Sequence, residues 1–247
     1  MKNYALILSF LSLFIIAGCS DSLPEEEPTT KEEAQEIDEI ETEEQAEKEK
    51  NDIDYTSPDS LTVLVNKEHA LPEDYEPKDL VVPDVRFPFI EDDPKKQLRK
   101  EAAEALEKLF DEADKAGHEL FAQSGYRSYE RQEAIYAANV AEDGEEAANQ
   151  YSARPGESEH QTGLVMDITS ASVDFLLVQE FGDTPEGQWV AEHAHEFGFI
   201  VRYDQGKEDI TGYQYEPWHL RYVGKEAATI IYEENLTLEE YVGAVED

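Results

Sequence analysis

The chain has 247 residues, of which 59 are acidic and 20 basic, for a formal net charge of −39 at pH 7. That length allows one or two domains, and a polyanion of this strength argues against a binder of phosphate backbones outside a local basic patch, so no nucleic-acid partner is expected. The single cysteine, Cys19, excludes an internal disulfide framework and a cysteine-rich zinc knuckle.

Met1 and Lys2 give a short positive start, and the apolar run from Tyr4 to Ile16 is too short to favour a membrane-spanning helix. Ile16-Ala17-Gly18-Cys19 resembles the lipobox of bacterial lipoprotein signals. The resemblance implies removal of residues 1–18, lipidation of Cys19 as the first mature residue, and export to the outer face of the cytoplasmic membrane, which the protein touches through its lipid anchor alone. Residues 19–56 are dominated by Glu and Asp, with few apolar residues to bury, and read as a solvated acidic tether. Residues 57–247 then form one domain.

Leu61 to Val65 is β-rich, Leu71-Pro72 to Pro77 is turn-like, and Leu80 to Val82 is a short extended piece. Asp93 and Pro94 have the order of a cap and a first-turn proline, and Leu98, Ala102, Ala105, Leu106, Leu109 and Ala113 recur at helical spacing as far as Gly117. A strand over Glu119–Gln123 leads to Ser124-Gly125-Tyr126-Arg127-Ser128. Ser128 is placed to cap a helix from Tyr129, and an Ala-rich acidic turn or helix follows to Gln150. Arg127, at a strand end beside small residues, presents a fork suited to a carboxylate or an oxyanion, or equally to a surface ion pair.

Leu164 to Thr169 reads as a strand in which Asp167 shares a side with Val165 and Thr169. An aspartate within an otherwise apolar strand asks for a partner or a cation. A helix starts at Thr184-Pro185 and stops at Gly198. Its His193 and His195 lie two positions apart and belong to no ligand motif, so they read as packing or surface residues. Phe199–Tyr203, a turn at Asp204–Lys207, a loop to Gly212, a strand Trp218–Val223, a helix through Ile231 and a capping box at Thr237 complete the chain. Hairpin-linked strands with helices on either side predict an α+β fold, a small antiparallel sheet with flanking helices.

Chemistry concentrates in two patches, Ser158 to Asp167 and Glu216-Pro217-Trp218-His219. His160, Asp167 and His219 offer two imidazoles and a carboxylate for one divalent ion with an open fourth position, as catalytic rather than structural zinc sites do. Such an ion lowers the pKa of its water and polarises a carbonyl, which suits amide hydrolysis. Glu216, three residues before His219, is free to move the proton, and Arg127 is the candidate to meet the developing anion. The Asp167–Glu216 pair also leaves a sugar-cleaving reading open.

Ser158-x-His160-x-x-Gly163-x-Val165-x-Asp167 resembles the SxHxxGxAxD signature of the VanY-type zinc D-alanyl-D-alanine carboxypeptidases, and Glu216-Pro217-Trp218-His219 resembles their ExWH motif. Ser124 to Tyr129 with Gln132, Val65-Asn66-Lys67, and Leu71 to Val81 also resemble family segments; the likeness spans about residues 60–235. It implies a zinc peptidase fold of the VanY/Hedgehog-like type and one Zn2+ held by His160, Asp167 and His219. Glu216 would be the base assisting attack by the zinc-bound water, and Arg127 would stabilise the oxyanion. Ser158, Gln132, Tyr126 and Ser128 would be substrate contacts. The implied substrate is the peptidoglycan stem peptide, the implied reaction removal of its C-terminal D-alanine as a D,D-carboxypeptidase, and the expected state a monomer. Alternatives within the family are an L,D-carboxypeptidase acting on tetrapeptides and a peptidoglycan endopeptidase; a non-catalytic wall-binding lipoprotein is a further alternative. Val165 departs from the signature, which has alanine there.

Overall fold

The computed structural model describes residues 53–245, all within one compact unit. The signal segment, Cys19 and nearly all of the acidic tether lie outside the described residues. Two residues assigned to the tether are nevertheless part of the fold: Ile53 and Tyr55 pack against a core cluster, and Leu64 N–H donates to Tyr55 O at 2.9 Å.

The sheet contains four antiparallel strands in the order β3-β4-β6-β5, where β3 is Phe121–Ser124, β4 Val165–Thr169, β5 Phe199–Tyr203 and β6 Glu216–Tyr222. A separate two-residue pair joins β1 (Leu80–Val81) to β2 (Leu98–Arg99). Period-two alternation divides the main sheet into two unlike faces. Met166, Ile168, Trp218, Leu220, Tyr222 and Phe199 enter the main core with Leu106, Leu109 and Phe110 of helix α1 (Lys100–Ala116). The intervening residues Asp167, His219, Arg221 and Arg202 are buried too, yet all are polar. The functional site is built on that second face.

Helices α2 (Tyr129–Asp143) and α3 (Glu145–Tyr151) follow β3, and α4 (Pro185–His193) precedes β5. A one-turn helix, α5 (Glu208–Thr211), lies where the sequence predicts a loop. Helices α6 (Lys225–Glu233) and α7 (Leu238–Tyr241) carry a second cluster of Ala228, Ile231, Leu238 and Val242 against Leu64 and Ile200. Thr237 and Glu240 form the expected capping box.

Two expectations are corrected. The helix predicted from Asp93 begins only at Lys100. Asp93 instead caps a 3-10 turn, accepting from Lys95 N at 2.9 Å. The carbonyls of Lys95 and Gln97 then receive Gly125 N and Tyr126 N, so they cannot serve an α-helical ladder. Leu61–Val65 is no strand among the described residues: the Leu61 and Val63 carbonyls accept from the Arg221 guanidinium at 2.9 and 2.8 Å. His193 stacks on Trp189 and His195 on Tyr232, packing roles as expected.

Candidate metal centre

His160 sits in a 3-10 turn, Glu159–Thr162, that ends at Gly163 with φ of 66°. A side chain at Gly163 would be strained by that backbone and would press on Leu80 Cδ2 at 2.9 Å, so the glycine lets the turn lie against β1 before β4 begins. Asp167 and His219 are register partners on β4 and β6. The ladder therefore places both side chains on the polar face, and the turn brings His160 over them.

The resulting geometry is compact and buried. His160 Nε2 lies 3.4 Å from Asp167 Oδ2, His219 Nδ1 lies 3.2 Å from Asp167 Oδ1, and ligand atoms of all three residues fall within 4.8 Å of one another. Ligands about 2.0–2.1 Å from a tetrahedral ion would stand about 3.3 Å apart, close to both short separations. The outer ring nitrogens have other partners: His160 Nδ1 is 2.8 Å from Gly125 O, and His219 Nε2 is 3.4 Å from Glu159 Oε2. With those nitrogens carrying the protons, the inner nitrogens present lone pairs to a common point. Asp167 Oδ1, buried, has no hydrogen-bond partner. A buried carboxylate between two imidazole nitrogens, one of which must give up its proton to a metal, fits a divalent cation.

The electrostatics divide the carboxylates sharply. Burial pushes Glu216 up to about 7, with His219 and Arg127 opposing. Burial opposes the charge of Glu159 as well, but Arg202 and Arg221 outweigh it and hold that carboxylate far below its ordinary range. Asp167 is likewise lowered against its burial, by His160 and then His219. Burial, with the Arg127 charge, drives His160 down to about 3. For His219 burial also acts downward, yet Asp167 and Glu159 prevail and raise it to about 9.

Glu216 opens β6, its Oε2 3.7 Å from His219 Nδ1. Val201 pairs with Leu220 but Tyr203 pairs with Glu216, a slip in register around Pro217, which has no N–H to give the ladder. The slip brings the carboxylate to the metal end of the strand. Arg127 is mostly buried, which lowers its pKa, with Asp167 and Glu216 as its opposing charges. Its Nη1 donates to Gln132 Oε1 at 2.8 Å and its Nη2 to Ser124 Oγ at 3.4 Å.

A cleft of about 230 Å³ unites His160, Asp167, His219, Glu216, Arg127, Gln132 and Ser158. Gln132 is engaged within the protein, since its amide nitrogen donates to Ala153 O while its oxygen holds Arg127. Tyr126 and Ser128 are not brought into this cleft. They line an adjoining hollow of about 590 Å³, and the Ser128 hydroxyl caps α2 by accepting from Arg131 N at 3.3 Å. Trp218 serves both the core and the cleft wall.

Sequence reading missed Tyr203, Tyr213 and Glu159 as cleft residues. Tyr203 lies 4.9 Å from the His219 ring, and the Tyr213 hydroxyl is buried without a partner. Glu159 lies inside the motif beside a ligand histidine, but one more glutamate in so acidic a chain carries no distinguishing signal. Arg202 and Arg221 did carry one, because arginines in apolar strands need partners as Asp167 does.

Two histidines, an aspartate and an unliganded buried carboxylate around an open cleft define a single-metal hydrolase. Comparison with known families agrees: the model of the VanY family, D-alanyl-D-alanine carboxypeptidase, matches residues 95–225. The chain belongs to this VanY-type family of zinc carboxypeptidases and is a metallopeptidase of peptidoglycan peptides. It is 57% identical over 185 residues to YodJ of Bacillus subtilis (strain 168), a protein assigned as a carboxypeptidase, covering 75% of this chain and 68% of YodJ. Among solved structures, the LdcB LD-carboxypeptidase aligns with a TM-score of 0.74 and 56% identity over 76% of this chain and 88% of LdcB. A zinc complex of the vancomycin-resistance D,D-pentapeptidase VanY aligns with a TM-score of 0.61 and 34% identity over 76% and 99% of the two chains. Both neighbours share the α+β architecture of a small antiparallel sheet with flanking helices.

Proposed function

We propose that this protein is a zinc-dependent L,D-carboxypeptidase that removes the terminal D-alanine from peptidoglycan tetrapeptides. The observation that carries the choice of bond is the 56% identity to the LdcB LD-carboxypeptidase, against 34% to the D,D-pentapeptidase. It favours the L,D reading over the D,D reading that the motifs alone imply.

His160 Nε2, Asp167 and His219 Nδ1 would hold one Zn2+. When bound, the ion acidifies water and polarises the scissile carbonyl. The chain's own groups do the rest. Glu216, buried near the open side, takes a proton at one carboxylate oxygen and returns it to the leaving amine; a carboxyl near neutrality suits both directions. Arg127, fixed by Gln132 and Ser124, directs its charge at the oxygen that becomes anionic. Ser158, Tyr203 and Tyr213 line the path of the peptide. Lipidation at Cys19 would tether the enzyme beside its wall substrate. Among the described residues no helix is long and apolar enough to cross a membrane.

The test is mass spectrometry of tetrapeptide and pentapeptide muropeptides incubated with the zinc-loaded protein. Loss of D-alanine from the tetrapeptide supports the proposal. Loss from the pentapeptide alone makes it a D,D-carboxypeptidase, an internal cut an endopeptidase, and no cleavage by a zinc-loaded protein a wall-binding lipoprotein.

A further inference from the structure

Behind the metal centre lies a buried chain of four charges. Glu159 Oε1 accepts from Arg202 Nε and Arg221 Nη1, each at 2.7 Å, and its Oε2 faces His219 Nε2 at 3.4 Å. Arg202 turns its other two nitrogens to Glu239, with Nη1 donating to Oε2 at 2.9 Å and Nη2 to Oε1 at 2.6 Å. Asn66 Nδ2 also donates to Glu239 Oε1, at 3.2 Å, while Arg221 Nη2 reaches the Leu61 and Val63 carbonyls. Exposure is 0% for Arg221, 1% for Arg202 and Glu159, and 3% for Glu239. Two carboxylates and two guanidiniums balance.

Stability alone is a poor reason for such a chain, because apolar residues of similar volume commonly do as well or better. Beyond guanidinium, amide and carbonyl groups, Glu159 reaches the His219 ring, and the Arg202 guanidinium lies 5.0 Å from the centroid of the Tyr203 ring, which itself packs on His219. Two guanidiniums pin one oxygen of Glu159 and leave the other to orient the His219 ring. Furthermore, the residues that close the chain, Leu61, Val63, Asn66 and Glu239, all lie outside the 95–225 family match.

We propose that Glu159 is the positioning residue for His219, and that its hold is set by Glu239 acting through Arg202, so that the C-terminal helix α7 governs the affinity of the metal centre. This rests on His160, Asp167 and His219 being the metal ligands. Without the Glu239 charge, Arg202 has Glu159 as its sole counter-charge and draws that carboxylate away from His219.

The experiment measures zinc affinity of the full chain in detergent by chelator competition at one pH, with the visible spectrum of the cobalt form as a second readout. Glu159→Gln is expected to weaken zinc binding about 10–100-fold, the usual effect of removing a partner of a ligand histidine. Glu239→Gln is expected to weaken it about tenfold, shift the cobalt bands, and add little to Glu159→Gln in the double variant. Arg202→Lys, which keeps the charge but cannot bridge two carboxylates, gives the same loss should the Glu239 variant not fold. In Glu239→Gln and Arg202→Lys, activity lost at limiting zinc returns in excess zinc, since neither residue lines the cleft. A folded Glu239→Gln or Arg202→Lys protein with wild-type affinity and spectrum overturns the proposal, as does full additivity in the double variant. Wild-type protein that binds no zinc overturns the ligand assignment itself and the proposal with it.

Discussion

Asp167 and His219 stand directly opposite each other across the β4–β6 ladder, with Oδ1 and Nδ1 3.2 Å apart. Their spacing is therefore a property of backbone register rather than of side-chain reach. A slip of one residue would turn one of them into the apolar core, and a slip of two would part them by about 7 Å. The centre is preorganised by the same hydrogen bonds that make the sheet.

Zinc affinity should depend on pH through His219. In the metal-free protein this ring has a pKa of about 9 and carries a proton on each nitrogen at neutral pH, whereas His160, at about 3, is already neutral. A cation must displace the inner His219 proton. Affinity should consequently rise about tenfold per pH unit up to pH 9 on this account, with a further contribution from Glu216 below pH 7. Calorimetric zinc titrations in buffers of different ionisation heat should show about one proton released at pH 7.5; release of none would contradict the assignment.

Glu216→Gln should reduce kcat by roughly 10²–10⁴-fold while leaving zinc affinity near that of the wild type, because the residue handles protons without ligating. The same variant should make the metal-free protein more stable above pH 7. A carboxylate whose folded pKa is raised to about 7 destabilises the fold as pH rises from its unfolded value near 4.5 through 7, and glutamine removes that penalty. Urea melts at pH 5 and pH 8 would reveal it as a gain confined to the higher pH.

Arg127→Lys should lower kcat/KM by about 10²–10³-fold without altering zinc affinity. A point charge cannot keep both the Gln132 and the Ser124 partner while facing the cleft. Full activity in this variant would remove Arg127 from the chemistry.

Gly125→Ala should damage fold and metal centre together. A methyl group there would collide with the Gln97 carbonyl and meet Met166 Cε at 2.9 Å, and Gly125 O is the partner of His160 Nδ1. A loss of stability of about 1–3 kcal/mol is expected from overpacking. Zinc binding measured at a temperature where the variant remains folded should be weaker as well.

Much of this was legible in the sequence because the relevant signals are local. Alternation placed Asp167 on one side of its strand, Gly117 and Gly198 ended their segments, and the spacing of His160, Asp167 and His219 announced a metal site. What escaped depends on pairing across the chain. Leu61–Val65 has strand composition, but its carbonyls go to the Arg221 guanidinium. Leu98 fits the periodicity of α1, yet it pairs with Val81. Glu239 belongs to an ordinary capping segment until the fold sets it against Arg202. Ser128 carries two local meanings, substrate contact and helix cap, and only the three-dimensional arrangement shows the hydroxyl engaged in the second.

The four-charge chain also separates two electrostatic worlds within one molecule. The exterior of a −39 protein feels every change in ionic strength, since mobile cations gather around its acidic surface. Glu159, Arg202, Arg221 and Glu239 are at most 3% exposed, so counterions in the medium do not reach them. The protein can therefore meet wide swings in external salt with its surface potential changing and the aim of His219 unchanged.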